Sequence, residues 1–171
     1  MPELPDLEYI VKRLSSELPG RTITGAELVD PIVVRILFRE SFSAILSGCH
    51  VESVSRRGPF INFELSSCDL IMHLMLTGRL QLAKPFEGPL AHRCFSLSFG
   101  EDIVMHYGDE KRMGRVYLVP KGEYGGIPGF ITQGIDILSP EFTLDRFLSL
   151  ARKSRKQARV FIMDQTVLSA I

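Results

Sequence analysis

The sequence has no tryptophan, only three cysteines and no excess of charge of either sign: twenty lysines and arginines stand against twenty acids. A zero balance does not by itself advertise a nucleic-acid partner. Cys49, Cys68 and Cys94 are odd in number, widely spaced and never in a C-x-x-C pair. That pattern excludes a disulfide framework and a zinc site within this chain, and predicts buried thiols in a reducing cytosol. No run approaches the roughly 18 consecutive apolar residues that would span a bilayer. The N-terminus carries Glu3, Asp6 and Glu8 where a secretory signal would be basic and then apolar. A soluble cytoplasmic protein with no membrane partner is expected.

What the chain does have is a globular balance. Its 171 residues, 45% hydrophobic and 23% charged with mean hydropathy +0.13, suffice for one domain with a real core. Residues 141–171 hold six bases against three acids, a net +3, which leaves −3 on residues 1–140. The basic stretch ARKSRKQAR reads equally as a solvated helix end or as an anion-binding face.

Leu7, Ile10, Val11, Leu14 and Leu18 recur at helical spacing between Pro5 and Pro19-Gly20, which predicts an amphipathic helix over 5–18. From 21 to 119 the period becomes two: Ile61, Phe63 and Leu65 alternate with Asn62 and Glu64, and Phe95, Leu97 and Phe99 alternate with serines. LIMHLML (70–76) is apolar on both faces, as an internal strand would be, and a hairpin is expected around Gly100-Glu101-Asp102. Residues 120–138, rich in glycine, read as a long loop. Thr143 can cap a helix whose Leu144, Phe147, Leu148 and Ala151 form a core-facing stripe, and VFIMDQTVLSAI (160–171) reads as a further helical segment. The expected fold class is α+β, mainly β: a two-layer antiparallel β-sandwich with an N-terminal helix packed on it and a C-terminal helix. Two units are expected, 1–140 and a helical segment 141–171. The last pattern breaks off without a cap, so more protein is expected after Ile171.

Pro2 carries the chemistry of most interest. Once Met1 is removed, it becomes a secondary amine with an ordinary pKa near ~8, against ~10.4 for a lysine, so far more free base is available at neutral pH. A free amine is what imine formation at a sugar carbon requires. Glu3 adjoins it and Asp6 lies three residues on along the same helical face, so a nucleophile and two catalytic carboxylates are expected to converge. Acids beside a helix N-terminus also favour the macrodipole, whatever else they do.

MPELPDLE resembles the N-terminal signature of the formamidopyrimidine-DNA glycosylase and endonuclease VIII family. SVSRRGPFINFEL, IMHLMLTGRL, MHYGDEKRMGRV, GIDILSPEFT and RVFIMDQTVLSAI resemble its later motifs, in order, over the whole chain. The resemblance implies a base-excision-repair DNA glycosylase with abasic-site (β,δ-elimination) lyase activity on oxidised bases, working through a Schiff base on the N-terminal proline. Its partner would be damaged double-stranded DNA. Carried over, Pro2 is the nucleophile, Glu3 the general acid or base, and Asp6 stands where the family usually has glutamate. Leu76 matches an intercalating methionine, and Arg56, Arg57, Arg79 and Arg159 are implied DNA contacts. Lys111 stands where many members place the arginine that pairs with the orphaned cytosine. Arg112 is the neighbouring substitute, and Met113 replaces a phenylalanine wedge. Pro59 falls where the family has a phosphate-binding lysine. His73 matches a family histidine and is expected to be a hydrogen-bonded structural residue.

The family continues into a helix-two-turn-helix and usually a zinc finger. Zinc is therefore expected only in the longer parent; this chain should need no metal or small-molecule cofactor and act as a monomer. Two rival readings remain: a family member that binds DNA but has lost catalysis, and a sandwich used only for protein contacts.

Overall fold

A computed structural model describes residues 2–169. Helix α1 (Leu4–Glu17) opens the chain and buries Leu7 and Leu14, with Leu18 fully enclosed at its C-cap. Full burial of such a side chain contributes about 1.5–3 kcal/mol, which ties the helix firmly to the strand it packs on, β3 (Val51–Arg57).

The remaining strands form two sheets. One orders β1 (Gly25–Leu28), β7 (Arg93–Phe99), β8 (Ile103–Asp109) and β6 (Gly78–Ala83), all antiparallel. The other orders β2 (Val34–Ile36), β9 (Arg115–Pro120), β5 (Cys68–His73), β4 (Phe60–Leu65) and β3. It is antiparallel except where β2 lies parallel to β9. Alternation does the work the sequence predicts: Phe63 and Leu65 from one sheet and Phe95, Leu97 and Phe99 from the other fill a single core. The expected two-layer sandwich with its N-terminal helix is what forms. A short helix α2 (Phe42–Leu46), capped by Ser41, adds Phe42 and Leu46 to that core.

The two-faced character of β5 has a direct cause. Leu70 and Met72 enter the core between the sheets, while Ile71 meets a second cluster with Phe60, Tyr117, Ile127 and Phe130. The loop after β9 supplies the cover, anchored by buried Asp69, whose Oδ2 accepts the Tyr124 hydroxyl at 2.7 Å and the Gly122 N–H at 3.0 Å. All three cysteines are buried free thiols, and burial beside Cys49 pushes the Cys68 thiol up to about 12.

Four expectations change. The apolar run 70–76 is strand only to His73, because the 74–77 segment turns with Met75 at φ 52°. The long loop 120–138 contains a short strand, β10 (Ile135–Asp136). Residues 160–171 are not one helix: α4 (Ala158–Ile162) ends early, and β11 (Leu168–Ser169) runs parallel to β10. Asp164 breaks the helix by accepting both the N–H and the hydroxyl of Thr166, which turns the chain; Ala170 and Ile171 lie outside the described residues. Finally, helix α3 (Leu144–Lys153) is capped by Thr143 as expected, but its stripe is not core: Leu144 is 71% exposed and Leu148 37%. Phe147 packs against Phe142 and Phe161, and Ala151 is half-buried.

Two histidines make folding pH-dependent. Burial lowers the affinity of His73 and His106 for a proton, the latter bonded through Nδ1 to Ser96 Oγ at 2.7 Å. Below the ordinary histidine value of 6.5 the unfolded chain takes up protons that the folded chain refuses. Stability is then lost as pH falls from 6.5 toward the folded values. Urea midpoints at pH about 7.5 and about 5.5 should show this drop, and His106→Gln should shrink it; an undiminished drop would place the acid sensitivity elsewhere.

Candidate active site and nucleic-acid interface

The first turn of α1 holds residues 2 and 3 outside the helix. Glu3 is the N-cap in extended conformation, its N–H donating to Asp6 Oδ2 at 2.8 Å and its carbonyl accepting from Leu7 N–H at 3.0 Å. Pro2 and Glu3 thereby reach the wall of a cleft of about 350 Å³, completed by Pro59, His73, Met75 and Ile137 among others. Among the described residues lining it there is no lysine or arginine. Asp6 is exposed and does not line the cleft. The expected convergence of two carboxylates on Pro2 is therefore not seen: Glu3 is at the cleft, and Asp6 fixes its backbone.

His73 is the residue that sequence reasoning undervalued. It is hydrogen-bonded, as expected, with Nδ1 accepting Met75 N–H at 3.0 Å, and its ring meets Phe60 edge-on at 5.0 Å. But it also forms part of the cleft wall. Burial and then the Arg115 charge push its pKa down, so the ring is neutral and Nε2 carries the proton. Its two-faced strand position, half core and half opening, was the available signal.

The arginine pair divides. Arg56, expected at phosphates, is drawn inside instead, with 7% of its side chain exposed. Its Nε donates to Glu8 at 2.6 Å, its Nη1 to Asp136 at 2.6 Å and to Gly58 O at 2.9 Å, and its Nη2 to Asp136 at 3.1 Å. These carboxylates keep it protonated despite burial, and leave it no free fork for a phosphate. Arg57 is exposed but docks on the covering loop, donating to Phe130 O at 3.0 Å with its guanidinium over the Phe130 ring. Gly58 between Arg57 and Pro59 has φ 55°, a left-handed conformation that glycine adopts without strain. Its missing side chain leaves room for the Gln133 side chain, whose Oε1 lies 2.2 Å from where a Cβ would stand.

Of the other predicted contacts, all but Arg159 gather at one end of β6 and β8, where Gly78 pairs with Asp109. Leu76 (46% exposed) and Met113 (43%) stand out as apolar tips, with Arg79, Lys111 and Arg112 exposed around them. Arg112 is held by Asp30 at 2.8 Å, which leaves Lys111 as the less encumbered cation. Arg159 is exposed on α4, which shares no lining residue with the cleft.

Fold and cleft together define a class: a helix-capped two-sheet sandwich that presents its own N-terminal residues at an apolar cleft beside exposed apolar tips and cations. A profile of the formamidopyrimidine-DNA glycosylase N-terminal domain matches residues 1–116, and the chain belongs to that family. The formamidopyrimidine-DNA glycosylase of Moorella thermoacetica is 32% identical over 176 residues, aligning with all of this chain and 63% of its own length. That of Pelotomaculum thermopropionicum is 29% identical over 172 residues, again covering all of this chain and 62% of the relative. Among solved structures, the Lactococcus lactis Fpg in complex with FAPY-dG-containing DNA superposes with TM-score 0.84 at 26% identity, over 99% of this chain and 63% of that one. The chain thus spans about three fifths of the length of these relatives. No helix among the described residues is long and apolar enough to cross a membrane.

Proposed function

We propose that this chain is the catalytic N-terminal part of a base-excision-repair DNA glycosylase with abasic-site lyase activity on oxidised bases. The observation that carries the reading is the placement of Pro2 and Glu3, lifted out of α1 onto the wall of a cleft free of lysine and arginine among the described residues. With Met1 removed, the Pro2 nitrogen changes from an amide to an amine, and apolar walls favour its uncharged, nucleophilic form. Its lone pair attacks C1′ of a nucleotide turned out of the duplex, and the C1′–base bond breaks as the base takes up a proton. Opening of the C1′–ring oxygen bond, with Glu3 handling the proton, leaves an iminium. That cation acidifies the C2′ proton; its loss expels the 3′ phosphate, and a second elimination expels the 5′ phosphate.

Turning the base out costs a few kcal/mol of stacking, which Leu76 and Met113 offset by filling the gap. Arg79, Lys111 and Arg159 would meet phosphates. The test is borohydride trapping on a duplex with one abasic site: an adduct mapping to Pro2 is expected, and none from a Met1-free chain on duplex or single strand would overturn the lyase reading.

Pro59 favours a second reading, DNA binding with weakened catalysis, because it puts an uncharged ring on the cleft wall. Pro59→Lys should tighten binding to an abasic-site duplex and steepen the log–log salt slope by about one. Fluorescence anisotropy at several salt concentrations reads both, and an unchanged slope would place residue 59 off the phosphate track.

A further inference from the structure

The two loops that carry the apolar tips share one buried anchor. Asp109, 1% exposed, closes β8. Its Oδ1 accepts the Thr77 hydroxyl, and its Oδ2 accepts Gly114 N–H at 2.6 Å. The Thr77 oxygen accepts Lys111 N–H at 3.0 Å, and the Asp109 carbonyl accepts Arg112 N–H at 3.3 Å. Residues 74–77 are held from their other end by the Met75 N–H bond to His73 and by Gly78 N–H on the Leu74 carbonyl at 3.0 Å. Backbone on both sides of Leu76 and of Met113 is therefore bonded, while both side chains project.

This arrangement is held against local preference. Met75 and Arg112, neither a glycine, sit at φ 52° and 53°, a conformation that persists only when the surroundings over-determine it. Position 114 admits no side chain, since a Cβ would lie 1.9 Å from Tyr107 Oη and 2.9 Å from Asp109 Oδ2. A carboxylate that is buried must have its donors, so Asp109 enforces both loop positions at once.

An apolar tip that opens a base stack must push against it. A loop that yields, or must first be ordered, gives back in entropy what insertion gains, whereas a loop fixed during folding does not. We propose that the Thr77–Asp109 pair is a positioning brace that makes the 74–77 and 110–114 loops act as one rigid wedge; this rests on the glycosylase reading. Thr77 and Asp109 touch no substrate; they act through Leu76 and Met113.

The test uses Thr77→Val, which keeps the shape but strands Asp109 Oδ1, and Thr77→Ser, which keeps the hydroxyl. Single-turnover borohydride trapping is measured with the Met1-free chain on an abasic duplex and on an abasic single strand, where there is no stack to open. Thr77→Val should lose about tenfold on the duplex and nothing on the single strand, and Thr77→Ser should recover the duplex rate. In a Leu76→Ala background Thr77→Val should cost less than about twofold, because the brace has lost the tip it supports. Equal losses on both substrates, or additive losses with Leu76→Ala, would overturn the brace. A wild-type chain that traps the single strand but not the duplex also overturns it while sparing the lyase reading. A wild type that traps neither removes that reading and the brace with it.

Discussion

A chain that keeps Met1, or bears any acyl group on Pro2, is expected to give no borohydride adduct, a fall of at least about a thousandfold against the Met1-free chain. The reason is electronic: an amide nitrogen shares its lone pair with the carbonyl and cannot attack C1′. Glu3→Gln should leave the amine and the cleft intact and lose about a hundredfold to ten-thousandfold in trapping rate, the range set by one general acid–base group. Asp6→Asn separates the roles that the sequence could not. Asp6 touches Glu3 N–H rather than the cleft, and an asparagine oxygen can accept that bond, so trapping should fall by only a few-fold. A loss as large as that of Glu3→Gln would return Asp6 to the chemistry. Intact mass for Met1, with adduct yield over time, measures all three.

The parts of this architecture legible from sequence are those set by local periodicity. The α1 stripe, the alternation in β4 and β7, and the two-faced apolar β5 each follow from which residues must leave water. What was illegible depends on partners far along the chain. Arg56 reads as a surface cation until Glu8 and Asp136, 48 and 80 residues away, are brought to it. Thr77 and Asp109, 32 residues apart, are an ordinary threonine and aspartate in any local window. The run 160–171 failed for another reason: a short apolar stretch fits helix or buried strand equally, and the Asp164 turn decided it. The proposed Pro2–Glu3 chemistry rests on the N-terminal residues themselves, so the sequence could suggest it without the fold, which adds their place on the cleft wall.

Arg56→Ala is expected to be among the most destabilising single changes in the chain. The guanidinium ties β3 to α1 through Glu8 and to β10 through Asp136, so it fixes the strand beside the helix that carries the cleft. Removing it leaves the Asp136 carboxylate, 24% exposed, without its cation and with the Leu138 N–H as its remaining donor among the described residues. Breaking a buried pair in this way costs about 3–5 kcal/mol; the lower end applies here, because the Glu8 arm is 47% exposed and largely screened by solvent. For a chain of this length about 3 kcal/mol corresponds to a melting temperature lower by about 6–12 °C. Arg56→Lys should recover only part, since one ammonium cannot span Glu8 and both Asp136 oxygens. Asp136→Asn placed on Arg56→Ala should recover part as well, by removing the orphaned charge. A phosphate contact predicts the opposite division: an unchanged melting temperature and a salt slope for DNA binding shallower by about one. Calorimetry and anisotropy on the same three variants therefore decide whether Arg56 holds the fold or the DNA.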